Sequence, residues 1–176
     1  MQNLIALFVA GVAVFQLPSA SSRVTRSDPV LVRTVIDGDT IDVERFGRVR
    51  LLGIDAPELG RGFDTAAPFA REARDKLISL VLHHWVRLEK EQEGAAFDVY
   101  SRHLAYVIRE DGLVVNTEIV REGLARVTAR TPLVRLDELK AAEAQAQSFR
   151  RGMWGSIPQI APPSYTRPSS RSKRPR

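Results

Sequence analysis

The stretch LVRTVIDGDTIDVERFGRVRLLGIDAPE, residues 31–58, reads as three short strands joined by two turns. The first strand runs from Pro29 to about Ile36, and Asp37-Gly38 favours a tight turn after it. In the second, about Thr40 to Glu44, Ile41 and Val43 alternate with Asp42 and Glu44. Gly47 marks the next turn and the third strand runs to Ile54, after which Pro57 biases Ala56 to an extended conformation. Four groups here are foreign to an ordinary core: Asp39, Arg50, Asp55 and Glu58. If the strands pair as a meander, Asp39 and Asp55 meet with little solvent between them, which is costly unless a cation joins them.

Outward from this stretch, a Gly-containing loop spans Glu58 to Ala67, and a helix with Pro68 in its first turn follows. Ala70, Ala73, Leu77, Leu80 and Val81 give it one apolar face. Trp85 to Glu89 reads as a fourth strand, Gln92 to Ser101 as a polar loop, and Leu104 to Ile108 as a fifth strand turned by Asp111-Gly112. Asn116 is placed to cap a short helix ending at Gly123, and a last helix spans about Val134 to Arg150, with Trp154 packing back on the body. Five strands, one helix between the third and fourth, and helices at the end predict an α+β domain at 29–155: a five-stranded Greek-key β-barrel of the OB-fold type with packed helices.

The chain has 176 residues, enough for one domain with a real core. It has no cysteine, which excludes disulfides, thiolate zinc sites and cysteine nucleophiles, and only His83, His84 and His103 are available as imidazole ligands. The net charge of +5 is not spread evenly: Arg167, Arg171, Lys173, Arg174 and Arg176 account for all of it, leaving residues 1–155 neutral. These five lie in a Pro/Ser/Arg tail, 156–176, whose composition cannot build a core and predicts disorder. At the other end LIALFVAGVAVF, followed by PSASS, predicts a signal peptide or N-terminal membrane anchor over 1–22, with a polar linker at 23–28. Export to the cell envelope or the medium follows from that reading.

Asp39 and Asp55 are hard oxygen donors to which the Ala56 carbonyl can add a neutral one, a set suited to Ca²⁺ or Mg²⁺ and not Zn²⁺. Taken singly, each aspartate is as well explained by a turn or a strand end. Arg50 interrupts an apolar strand and Arg102 enters the fifth. Two guanidinium groups beside a divalent cation can grip phosphate oxygens and stabilise a phosphorane-like transition state. Glu58 can orient or deprotonate an attacking water, Tyr100 can hydrogen-bond a phosphate, Asp37 reads as turn-forming, and His103 reads as a packing or solvated residue and not a general base.

IDGDT (36–40), RLLGIDAPE (50–58), YSRHLAYV (100–107), VNTEIVREGLARV (115–127) and EAQAQ…GMW (143–154) together resemble the thermonuclease, or staphylococcal-nuclease-like, family over roughly 30–155. The resemblance implies an OB barrel with three helices and a Ca²⁺-dependent phosphodiesterase acting on DNA and RNA, with Mg²⁺ or Mn²⁺ as alternative ions. Carried across by position, Asp39, Asp55 and Ala56 become metal ligands. Arg50 and Arg102 become the phosphate-binding arginines, Glu58 the acid acting on water and Tyr100 a phosphate contact. In-line attack leaving 3′-phosphate ends is implied as well, as is a monomer. The chain departs from the family pattern at Ala129 and Thr131, which replace tyrosines that help hold the base. It departs also at Val99, which replaces a basic residue, at Ala56, which replaces a threonine, and in a shorter loop after Glu58. The competing reading is a non-catalytic OB-fold module that binds single strands. Its usual exposed aromatics over a basic groove are scarce here, and an acidic cluster repels phosphate unless a cation is bound.

Overall fold

The computed structural model of the chain describes residues 24–60, 65–92, 95–129 and 132–155. The expected leader, the basic tail and Thr131 lie outside the described residues. Among those described, no helix is long and apolar enough to cross a membrane.

Strands β1 (Val24–Arg26), β2 (Val30–Asp37), β3 (Thr40–Val43) and β4 (Gly47–Leu51) are followed by a short β5 (Ile54–Asp55), helix α1 (Ala70–Val81), β6 (Trp85–Glu91) and β7 (His103–Arg109). Helix α2 (Val115–Arg121), β8 (Arg126–Val127), α3 (Leu136–Ser148) and a single 3₁₀ turn at Gly152–Trp154 complete the order. β2, β3 and β4 form the expected antiparallel meander, β4 pairs with β7 in parallel, β7 with β6 antiparallel, and β6 returns to β2. These five strands close an OB barrel, and the three helices pack on it. Register shifts in β2 between Val32 and Thr34 and between Val35 and Asp37 supply the bend that closure demands. Val32, Val35, Ile41, Val49, Leu51, Leu88 and Val107 fill the barrel from alternate positions. α1 buries Ala70, Ala73, Leu77, Leu80 and Val81, the face its spacing predicts.

Four local expectations are corrected. Val24–Arg26, read as linker, forms β1 along the edge of β6 that β2 leaves uncovered, and Arg26 pairs there with the buried Glu89. Pro68 precedes α1, which starts at Ala70 after Phe69 at φ 67°. The third strand does not run unbroken to Ile54: Gly53, at φ 80°, turns the chain out of the barrel. Ile54 and Asp55 then pair with Val127 and Arg126 in a separate ribbon. Asn116 does not cap α2, whose N-terminal flank is Val114. Its buried amide instead accepts from Val107 N (2.9 Å) and donates to Leu52 O (2.9 Å), bridging backbone that the departing strand leaves unpaired. Trp154 does return to the body, with the Arg126 guanidinium 5.2 Å from its ring centre.

Candidate active site

The DGDT turn passes close against α1 and Ala56. A Cβ on Gly38 would lie 2.6 Å from Cβ of Ala73 in α1 and 2.7 Å from Cβ of Ala56, so only glycine lets the turn sit between them. Asp37 is turn-forming, as read: its Oδ1 accepts from Asp39 N at 3.1 Å. Pairing of Thr40 with Arg50 and the Leu51 N–H bond to Asp39 O (2.8 Å) bring the start of β3 beside the end of β4.

Asp39 and Asp55 converge on one guanidinium. Arg50 forms an ion pair with Asp39 Oδ2 through Nη1 and with Asp55 Oδ1 at 2.6 Å through Nη2. The backbone N–H of Ala56 donates to Asp39 Oδ2 at 2.7 Å, and Thr40 Oγ1 donates to its Oδ1 at 3.0 Å. Asp39 is buried while the Asp55 side chain is exposed. Loss of hydration pushes the Asp39 carboxyl up to about 7, against the opposing pull of Arg50 and the Ala56 N–H.

Arg102 reaches the same place from the loop before β7. Its Nη1 donates to Thr40 Oγ1 at 3.1 Å, so Asp55, Arg50, Asp39, Thr40 and Arg102 form one continuous run of polar contacts. Asp98 aims it: one carboxylate oxygen accepts from Tyr100 N and Arg102 N, both 2.9 Å, and the other from Arg102 Nε at 2.7 Å. Burial opposes ionisation of Asp98, but the bonds from Arg102 and Tyr100 outweigh it and hold its pKa below the usual range. The orienting role of Asp98 was not read from the sequence, although an acid four residues before Arg102 is the signal that could have shown it.

Glu58, Tyr100 and Arg102 line one open cleft of about 270 Å³ together with Ile36, Asp37, Thr40 and Arg48. Tyr100 is 78% exposed, and Arg102 lies 5.4 Å from its ring centre. Arg48 is the other residue the sequence reading passed over. His103 packs between Phe46 and Phe97, as expected of it, with ring centres 5.5 and 4.3 Å away. Ala129 lines a neighbouring hollow of about 480 Å³ with Arg50, Gly53, Asp98, Leu104 and Leu133.

Among the described residues no group of three or more His, Cys, Asp or Glu side chains gathers in a form that could hold a metal ion. The donor set at Asp39, Asp55 and the Ala56 carbonyl is nevertheless all hard oxygen, and the two carboxylates lie against the same Arg50 guanidinium. These residues fit a hard divalent ion.

Residues 48–156 match the profile of the family described as staphylococcal nuclease homologue. A thermonuclease of Staphylococcus intermedius is 35% identical over 138 residues, covering 76% of this chain and 80% of the relative. A thermonuclease of Staphylococcus hyicus is 33% identical over 126 residues, 69% of this chain and 73% of the relative. A protein of Escherichia coli O157:H7 described as an uncharacterized endonuclease is 32% identical over 131 residues, 73% of this chain and 78% of its own length.

Proposed function

Since this chain belongs to the staphylococcal nuclease homologue family and is a nuclease, we propose that it hydrolyses DNA and RNA with Ca²⁺ and leaves 3′-phosphate ends. The observation that carries the reading is the unbroken run of contacts from Asp55 through Arg50, Asp39 and Thr40 to Arg102, beside a cleft that also holds Glu58. It supports Arg50, Arg102 and Glu58 as the catalytic groups.

Attack on a phosphodiester adds negative charge to the equatorial oxygens. Arg50 and Arg102 would meet that charge with N–H donors already held in place by Asp39, Asp55 and Asp98. Their held geometry spares reorganisation as the charge develops. Glu58 is exposed and its side chain makes no hydrogen bond to a described residue, so its carboxylate is available to orient a water or take its proton. The exposed hydroxyl of Tyr100 would steady a phosphate oxygen. Asp39, Asp55 and the Ala56 carbonyl would hold the ion, with Mg²⁺ or Mn²⁺ as alternatives to Ca²⁺. When bound, it supplies Lewis-acid charge to the scissile phosphate.

The reading extends to a monomer exported to the cell envelope or medium, which light scattering and cell fractionation would check. Its main test is incubation with single-stranded DNA in Ca²⁺ or in chelator, beside Glu58→Gln. Cleavage should need the ion, fall by two or more orders of magnitude in Glu58→Gln, and give ends that a 3′-phosphatase can trim. Full cleavage in chelator, or full activity of Glu58→Gln, would refute the assignment. Binding without cleavage in every condition would favour the single-strand-binding module instead.

A further inference from the structure

Arg48 belongs neither to the core nor to the acid cluster. β4 buries Val49 and Leu51 and turns Arg48 and Arg50 to the other face. Directly across the ladder from Arg48 stands Asp42, the acid that a cross-strand ion pair would use. Arg48 makes no such pair, nor a side-chain hydrogen bond to any described residue, and instead lines the cleft that holds Glu58, Tyr100 and Arg102. The hydrolysis described above leaves this cation unused.

Its spacing is informative. Residues two apart on a strand stand about 6.7 Å apart on one face, a step comparable to that between successive phosphates of an extended single strand. Arg48 therefore stands one such step along β4 from Arg50, whose own guanidinium is held by Asp39 and Asp55. Next to Arg48, Ile36 (38% exposed) and Tyr100 (78% exposed) present an aliphatic and an aromatic surface to the same cleft. Such surfaces suit the face of a sugar or base, while the guanidinium suits a phosphate.

We infer that Arg48 binds the phosphate adjacent to the scissile one, with the intervening nucleoside lying on Ile36 and Tyr100, so that the contribution of Arg48 is felt on a polynucleotide and not on a dinucleotide. The inference rests on the proposed function for which phosphate is cleaved. The plainer alternative, a solvated surface arginine, predicts no dependence on substrate length.

The test is equilibrium binding of fluorescein-labelled oligothymidylate to the full chain in chelator, across a salt series, with Arg48→Ala and Arg48→Lys alongside. Losing one phosphate contact on a single strand should flatten the slope of log K against log salt by about 0.7, and Arg48→Lys should restore it. In Ca²⁺, Arg48→Ala should raise KM for the oligomer roughly threefold to fivefold with kcat little changed. Its effect on a dinucleoside monophosphate should be smaller. An unchanged salt slope, or equal losses on the two substrates, would overturn the inference. If the native chain bound but cleaved nothing, the proposed function would fall while the salt slope still decided the role of Arg48.

Discussion

Replacing Asn116 with alanine tests how the barrel releases β5. The last parallel rung between β4 and β7 is Leu52 N–H to Ala105 O, at 2.9 Å. One step further the ladder would join Leu52 O to Val107 N, but Gly53 has already turned the chain away at φ 80°. The Asn116 amide stands in for that rung, with both bonds at 2.9 Å, and its side chain is fully buried. Asn116→Ala strands the buried Val107 N–H and the partly buried Leu52 C=O, and each unsatisfied group costs about 1–3 kcal/mol. A loss of about 2–6 kcal/mol is therefore expected, a large share of the ~5–15 kcal/mol that holds a typical domain together. Urea unfolding followed by the fluorescence of Trp85 and Trp154 would measure it. With a urea slope of roughly 2 kcal/mol per molar, the midpoint should fall by about 1 M or more at unchanged slope. A midpoint shift under about 0.3 M would mean that water or a backbone shift satisfies these groups as well as the amide does, and the stand-in rung would be wrong.

Removing Asp98 should leave the charge of Arg102 intact but unaimed: Asp98→Ala should lower kcat/KM by roughly 10- to 100-fold, and activity equal to the native chain would show that Arg102 needs no orienting acid. Arg102→Ala should cost about 10²–10³-fold or more, and steady-state kinetics showing less than tenfold would remove it from the catalytic set. Gly38→Ala drives a methyl to within 2.6 Å of the Ala73 side chain, so α1 or the Asp39 turn must move. Overpacking of that kind costs about 1–3 kcal/mol, read as a lower thermal midpoint together with reduced nuclease activity; a midpoint unchanged from the native chain would show that the turn has room for a methyl. Glu89 is buried, which opposes its ionisation, but hydrogen bonds from Arg135 and Arg26 prevail and lower its pKa. Its contribution to stability is complete above the unfolded value near 4.5 and is lost as the pH falls from there through the folded value. Glu89→Gln should be less stable at neutral pH, and its urea midpoint should fall less than that of the native chain on acidification. Parallel acid profiles would exclude Glu89 as a source of acid sensitivity.

Much of this protein was legible before any fold was in view. Alternation in Thr40–Val43 and apolar spacing in Ala70–Val81 each name their own buried face, because a strand repeats every two residues and a helix every 3.6. Acids in DGDT and GIDAPE, with Arg50 between them, pointed to a charged cluster because carboxylates seldom crowd without a cation. What the residues could not express by themselves was partnership across the chain. Asn116 looks like a helix cap locally, since only the closed barrel brings Leu52 and Val107 within reach of its amide. Val24–Arg26 looks like linker until the uncovered edge of β6 and the buried Glu89 give it a place. Asp98 likewise takes its hold on Arg102, and Arg48 its place in the cleft, from where β4, the turn before β3 and the loop before β7 meet. Periodicity is a property of neighbours in sequence. Hydrogen-bond satisfaction and charge pairing depend on neighbours in space, and these exist only once the barrel has closed.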